Sequence, residues 1–330
     1  LSSKIRIKSI IRSFIFFIVA FVLPEKVKGV EYGGTAGSFL QSEVGAKAMG
    51  MGNAFTANAD DGSTVFWNPA CLALKNDLEF SFMHSAMFED RNKNYGAFVV
   101  PFSRITISGG WLRFQISNIE ERDSDDNLID HFQSSENAFL LGAGFAIADF
   151  HTFKFSVGIT GKYLYNTLYE YTSTGAGMDI GTKLEFNLPS PIAKIELGGV
   201  IKNIGTSVKW DTDSEYKTTI PKHYRTGIAF TFKERGSYIK LIGEAKYTEN
   251  EERLDFENFN FGTELKLKNL DFLLLRAGYN SKGFNFGAGL DIRTRKASLI
   301  FNYAFTSDVI SPEGIHNVSA GFRFRTPFSR

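Results

Sequence analysis

Cys71 is the only cysteine, so an internal disulfide framework is excluded. No stretch beyond the N-terminal leader approaches eighteen consecutive apolar residues, so no transmembrane helix is expected. A formal net charge of +1 leaves no basic surface for nucleic acid. The histidines, His84, His131, His151, His223 and His316, are scattered, with no pair at metal-ligand spacing. No nucleophile stands out, so the chain reads as a non-enzyme with no cofactor and no metal. No linker rich in proline, serine or glycine divides it, which favours one domain after the leader.

Phenylalanine and glycine are abundant, at 33 and 31 residues. Between 78 and 324 the sequence falls into about fourteen short segments in which apolar and polar residues alternate, the period of a strand with two different faces. From Phe284, one face reads Phe284, Phe286, Ala288, Leu290 and Ile292; the other reads Asn285, Gly287, Gly289, Asp291 and Arg293. In the next segment Ala297, Leu299, Phe301, Tyr303 and Phe305 oppose Ser298, Asn302 and Thr306, with Ile300 the bulky exception. Met178, Ile180, Leu184 and Phe186 likewise stand against Asp179, Gly181, Lys183 and Glu185.

A soluble antiparallel sandwich would alternate too. Two features favour a bilayer: many segments reach a spanning length of roughly ten residues, and connection lengths alternate with parity. Short turns fall near 101–103, 149–151, 187–192, 233–237, 268–271 and 293–296. The intervening connections, 88–94, 117–137, 166–174, 203–221, 248–257 and 307–316, read as longer; only 280–283 is short. In a bilayer every backbone polar group must pair within the protein, so a spanning sheet closes on itself. Short periplasmic turns and longer outer loops are the outer-membrane pattern. The expected fold is therefore all-β: a transmembrane antiparallel up-and-down β-barrel of about 14 strands, in the outer membrane of a Gram-negative-type envelope.

Residues 1–29 read as a secretory signal peptide: Lys4, Arg6, Lys8 and Arg12 precede a short apolar run, and Val27 and Gly29 offer small residues at a cleavage site. Residues 78–330 form the expected barrel, and 30–77 remain outside its alternation. This remainder holds Gly45-Ala46-Lys47-Ala48-Met49-Gly50-Met51-Gly52-Asn53-Ala54-Phe55, then Asp60-Asp61-Gly62 and Phe66-Trp67-Asn68-Pro69-Ala70. It is too apolar for a disordered leader, and Gly50-Met51-Gly52 lacks the third glycine of a dinucleotide loop. A compact glycine-rich segment against a lumen wall fits better.

These residues resemble the N-terminal signature of the PorV/PorQ family of outer-membrane proteins, related to FadL-type transporters. The resemblance recurs weakly in Gly199 with Asn203-Ile204-Gly205, in Pro221 with Arg225 and Gly227, and in His316 with Ser319, Gly321, Phe322 and Phe324. Cys71 stands where the family usually has glycine, and the chain ends Thr326-Pro327-Phe328-Ser329-Arg330 rather than on an aromatic residue. The family implies fourteen strands with the N-terminal segment as a luminal hatch. The motif assigned to that hatch is Gly45, Gly50, Gly52, Phe55, Asp60, Asp61, Trp67, Asn68, Pro69 and Ala70. Asn68 and Pro69 are expected to build a turn, and Asp60 and Asp61 to anchor the hatch to luminal lysine or arginine. A calcium site is disfavoured, because regularly placed oxygen ligands are missing. Partners implied are outer-membrane lipids, the barrel-assembly machinery, and either hydrophobic small molecules or secreted cargo proteins. Three functions stay open: transport or binding of hydrophobic compounds through a plugged barrel, a type IX secretion component that binds cargo, and a structural barrel without transport.

Overall fold

The computed structural model describes residues 37–189, 192–212, 217–250, 253–308, 311 and 313–326. The signal-peptide reading and the first seven positions of the expected hatch range, 30–36, lie outside them. Fifteen strands form one antiparallel sheet. The first seven are β1 (Asp77–Ala86), β2 (Arg91–Pro101), β3 (Ile105–Arg122), β4 (Leu128–Asp149), β5 (Phe153–Leu168), β6 (Tyr171–Asn187) and β7 (Ile192–Trp210). A three-residue β8 (Lys217–Thr219) pairs only with the outer part of β7. The remainder are β9 (Lys222–Glu234), β10 (Ser237–Asn250), β11 (Arg253–Leu267), β12 (Leu270–Asn280), β13 (Gly283–Arg293), β14 (Ala297–Thr306) and β15 (Ile315–Arg325). Pairing of β1 with β15 over ten residues, from Asp77↔Arg325 to Ala86↔His316, closes the sheet. Setting β8 aside, the wall is a closed barrel of fourteen strands. Closure leaves no open edge in the lipid.

The two faces sort by chemistry, because one meets hydrocarbon and the other the lumen. On β13, Phe286 is 55% exposed toward the outside, whereas Asn285 is fully buried and Asp291 is 7% exposed inside. Met178, Ile180, Phe301 and Tyr303 face outward in the same way. Ile300, the one bulky residue on the polar face of β14, lines an internal cavity. Among the described residues no helix is long and apolar enough to cross a membrane.

The short turns lie where the alternation places them, and by their length they mark the periplasmic end. Of the longer connections, 307–316 falls between β14 and β15 as expected, and several others are replaced by strand pairing. β3 runs on to Arg122 and β4 starts at Leu128, so the expected 117–137 loop is a strand pair with a tight tip. Only residues 169–170 separate β5 from β6, and 251–252 separate β10 from β11. Beyond the bilayer both faces of a hairpin meet water, so alternation vanishes while backbone pairing continues. The 203–221 stretch departs similarly: β7 continues to Trp210 through a ladder irregularity, with Asn203 and Gly205 at φ 63°. Parity resides in strand length more than in loop length.

Candidate functional site

Residues 37–76 occupy the lumen. They comprise a 3-10 turn (Ser38–Gln41), a one-turn helix α1 (Ala46–Gly50), a second, α2 (Thr64–Trp67), and a 3-10 turn (Pro69–Leu74) that leads to β1. Val44, Met51, Phe55, Val65, Trp67 and Leu72 are all fully buried. So complete a burial of one segment needs a wall without side chains where the backbone presses against it. A belt of glycines supplies that wall: a Cβ at Gly158 of β5 would collide with Pro69 and Ala70, at Gly181 of β6 with Asn68, and at Gly198 of β7 with Thr56 and Ala57. On the far side, Gly262 of β11 faces Met51, Gly278 of β12 faces Gly52, and Gly287 of β13 faces Gly50.

The motif residues make much of the contact between this segment and the wall. Gly50 and Gly52 are contact points: a Cβ at Gly50 would lie 3.0 Å from Gly287 Cα, and one at Gly52, where φ is 64°, 2.6 Å from Phe261 O. Gly45 adopts φ 85° and donates its N–H to Met83 Sδ at 2.9 Å. Asn68 caps the Pro69–Leu74 turn: its Oδ1 accepts from Ala70 N at 3.1 Å, and proline takes the first helical place, where no N–H is needed. Its Nδ2 donates to Thr56 O at 2.9 Å and Thr182 O at 3.1 Å, joining two plug segments to the wall. Ala70 is fully buried, its backbone N 2.4 Å from where a Cβ on Gly158 would lie. Trp67 donates from Nε1 to Val44 O at 2.9 Å, meets the Phe55 ring edge-on and carries the Arg225 guanidinium 4.9 Å from its ring. Asn68→Ala removes the three bonds of a fully buried amide and leaves two carbonyls and one N–H to find new partners. A loss of about 1–3 kcal/mol, seen as faster protease nicking near residue 60 in the folded barrel, is expected.

Charge completes the seat. The fully buried Glu264 of β11 accepts from Arg276 Nε at 2.7 Å and Tyr238 OH at 2.8 Å, with Lys47 Nζ of the plug at 3.5 Å. Lys47 also pairs with Asp60 at 2.6 Å, and Lys240 of β10 reaches Asp60 at 3.6 Å. Burial works to raise the Asp60 pKa, but Lys47 and Lys240 outweigh it and hold this carboxyl well below the ordinary range. Asp61 forms no ion pair among the described residues: its Oδ1 accepts from Ser63 N at 2.9 Å, and burial raises its pKa against the pull of Ser63 and Lys47. Asp60 thus ties plug to wall, and Asp61 closes a turn. Glu244 of β10 accepts from the N–H groups of Phe55 and Thr56, both at 2.9 Å, and Glu196 of β7 holds Asn58 Nδ2 at 2.9 Å and Lys183 at 2.6 Å.

These wall residues, Glu196, Glu244 and Glu264, were not foreseen as plug contacts. Their only signal was charge recurring on the luminal face of strands, which a water-filled lumen would show equally. Arg225 and Gly227, weak matches in the sequence, acquire a reason: one lies over Trp67 and the other against Ala57.

The β2–β5 side of the lumen carries an apolar patch among buried polar residues such as Thr160 and Lys162, and Lys202 Nζ lies 3.6 Å from the centre of the Phe66 ring. Tyr95 of β2, Leu112 of β3, Ala138 and Leu140 of β4 and Leu164 of β5 form one buried band with Val65 and Phe66 of α2, and Phe114 packs at its margin. The Phe66 and Tyr95 rings meet edge to face at 6.5 Å. Toward the periplasmic end, a cavity of about 140 Å³ lies between plug and wall, with Lys47, Asp60, Glu79, Arg276, Asp291 and Arg323 among its lining.

No protein-family model and no curated protein sequence matches the chain. Solved structures do. The toluene transporter TodX of Pseudomonas putida superposes with a TM-score of 0.57 at 10% identity, over 86% of this chain and 98% of that one. The CymD monoaromatic hydrocarbon channel gives 0.51 at 9% identity, over 86% and 97%. The shared feature is the fold, a closed antiparallel β-barrel.

Proposed function

We propose that this barrel carries small hydrophobic compounds across the outer membrane, with residues 37–76 as a hatch. The observation that supports the reading most is the apolar band of Tyr95, Leu112, Ala138, Leu140 and Leu164 against Val65 and Phe66. A water-filled porin gains nothing from such a surface, whereas a hydrophobic cargo gains about 25 cal/mol for each Å² it hides there. The fold it shares with a toluene transporter agrees. Glu244 and Glu264 hold the segment from β10 and β11, strands that do not carry the band, so α2 can yield to cargo while those contacts keep the rest in place.

Expressed in a Gram-negative host that lacks hydrocarbon channels, the chain is expected to raise the initial uptake of radiolabelled toluene several-fold. Leu112→Arg combined with Leu140→Arg should abolish the gain while the folded band on an unheated gel persists. Uptake no faster than with an empty vector would sink the proposal. The finer kinship, to PorV/PorQ proteins, rests on the motif between Gly45 and Ala70. It carries a second reading, a type IX secretion component that binds secreted cargo, favoured by the β3–β4 hairpin that projects beyond the wall.

A further inference from the structure

The last residue of β3 paired with β2 is Ile116, and the first of β4 paired with β5 is Ser134. Beyond them the β3–β4 hairpin continues as a two-stranded ribbon with no strand beside either edge. Its residues 117–133 carry six carboxylates and one arginine, in a chain whose net charge is +1. Some of this charge is consumed locally: Arg122 pairs with Glu120 at 2.6 Å and Asp126 at 3.4 Å, and Asp123 accepts from the N–H groups of Asp125 and Asn127.

Of the carboxylates that make no ion pair among the described residues, three gather around Tyr169. Glu121 and Asp130 stand directly opposite each other in the ladder, an arrangement that destabilises a strand pair. Glu170, at the tip of the β5–β6 hairpin, joins them: the negative charges of Glu121, Glu170 and Asp130 raise the Tyr169 pKa, Glu121 most. The Tyr169 ring meets Phe132 at 5.5 Å, edge to face, and is 51% exposed. Two hairpins thus present aromatic faces bordered by three unmatched negative charges, above the membrane.

We propose that this surface docks a cationic polypeptide segment, an arginine or lysine side chain lying on Tyr169 and Phe132 between Glu121, Asp130 and Glu170. Ring faces attract a desolvated organic cation, and the carboxylates supply its counter-charge. A divalent metal ion gains little from the rings, and the anionic headgroups of an outer leaflet are repelled. The surface lies outside the lumen and does not depend on what the lumen passes.

The test uses the barrel in nonionic detergent and a fluorescein-labelled dodecapeptide of alternating glycine and arginine, read by anisotropy. Binding that weakens with salt is expected, as is its weakening by about tenfold when Glu121→Gln, Asp130→Asn and Glu170→Gln are combined. Tyr169→Asn, which suits the positive φ of 54° at this position, keeps every carboxylate and should cost about threefold. Unchanged binding in the triple variant overturns the proposal. So does unchanged binding in Tyr169→Asn, which would reduce the surface to an ionic atmosphere. Displacement of the peptide by millimolar calcium but not magnesium, or by lipopolysaccharide micelles, also overturns it. Toluene uptake stays at the wild-type level in all these variants, so failure here is separate from failure of the transport reading.

Discussion

Valine at both Gly158 and Gly278 turns the occluded barrel into an open, ohmic pore in planar bilayers. Gly158 meets Pro69 and Ala70, and Gly278 meets Met51 and Gly52, closely enough that any Cβ must displace plug backbone. The two glycines lie on β5 and β12, so the plug is pushed from both sides. Valine suits a strand at least as well as glycine does, so the wall keeps its pairing and the plug is what gives way. The double variant should match a deletion of residues 32–74, with a single step of barrel size where the wild type shows none. Gly161→Val is the control: Gly161 sits on β5 too, but its nearest neighbour, Leu141 O, is 3.9 Å from the added Cβ. Closed traces from the double variant and the deletion alike would refute the hatch.

Removing the Glu264 carboxylate should cost about 3–5 kcal/mol. Arg276, Lys47 and Lys240 converge on it at 2.7, 3.5 and 3.9 Å, with side chains 2, 13 and 9% exposed. Glu264→Ala leaves Arg276 buried without its carboxylate and Lys47 and Lys240 with Asp60 alone, a larger penalty than the net worth of the pairs themselves. Urea unfolding from lipid vesicles, followed by tryptophan fluorescence, measures the loss. Glu89→Ala provides the scale: Glu89 pairs with Arg91 at 3.1 Å at the surface, and its loss should cost less than about 1 kcal/mol. Equal midpoints for the two variants would mean that water reaches Glu264.

How much of this was legible in the sequence follows from what each residue meets. Phe284, Phe286, Leu290 and Ile292 announce their face because lipid accepts nothing polar, so the wall could be read from period alone. The ribbon of residues 117–133 could not, since water on both sides imposes no pattern. Asn68 and Pro69 were legible as a turn, their chemistry being local. The partners of the plug were not: Phe55 and Glu244 are 189 positions apart, and no spacing rule joins them. Glycine abundance is plain in the sequence, yet only the fold shows that Gly158, Gly181 and Gly198 lie opposite Ala70, Asn68 and Thr56.

The seam between β1 and β15 also bears on how the molecule assembles. Its ten paired residues join the first strand to the last, so no enclosed wall exists until β15 is in place. The Pro69–Leu74 turn rests on β3, β4, β5 and β6, all made long before that seam can zip. An open, curling sheet can therefore receive residues 37–76 laterally and wrap around them, with no need to thread a peptide into a finished cylinder. On this order of events the plug is an internal template, and the glycine belt marks where the growing sheet bends around it.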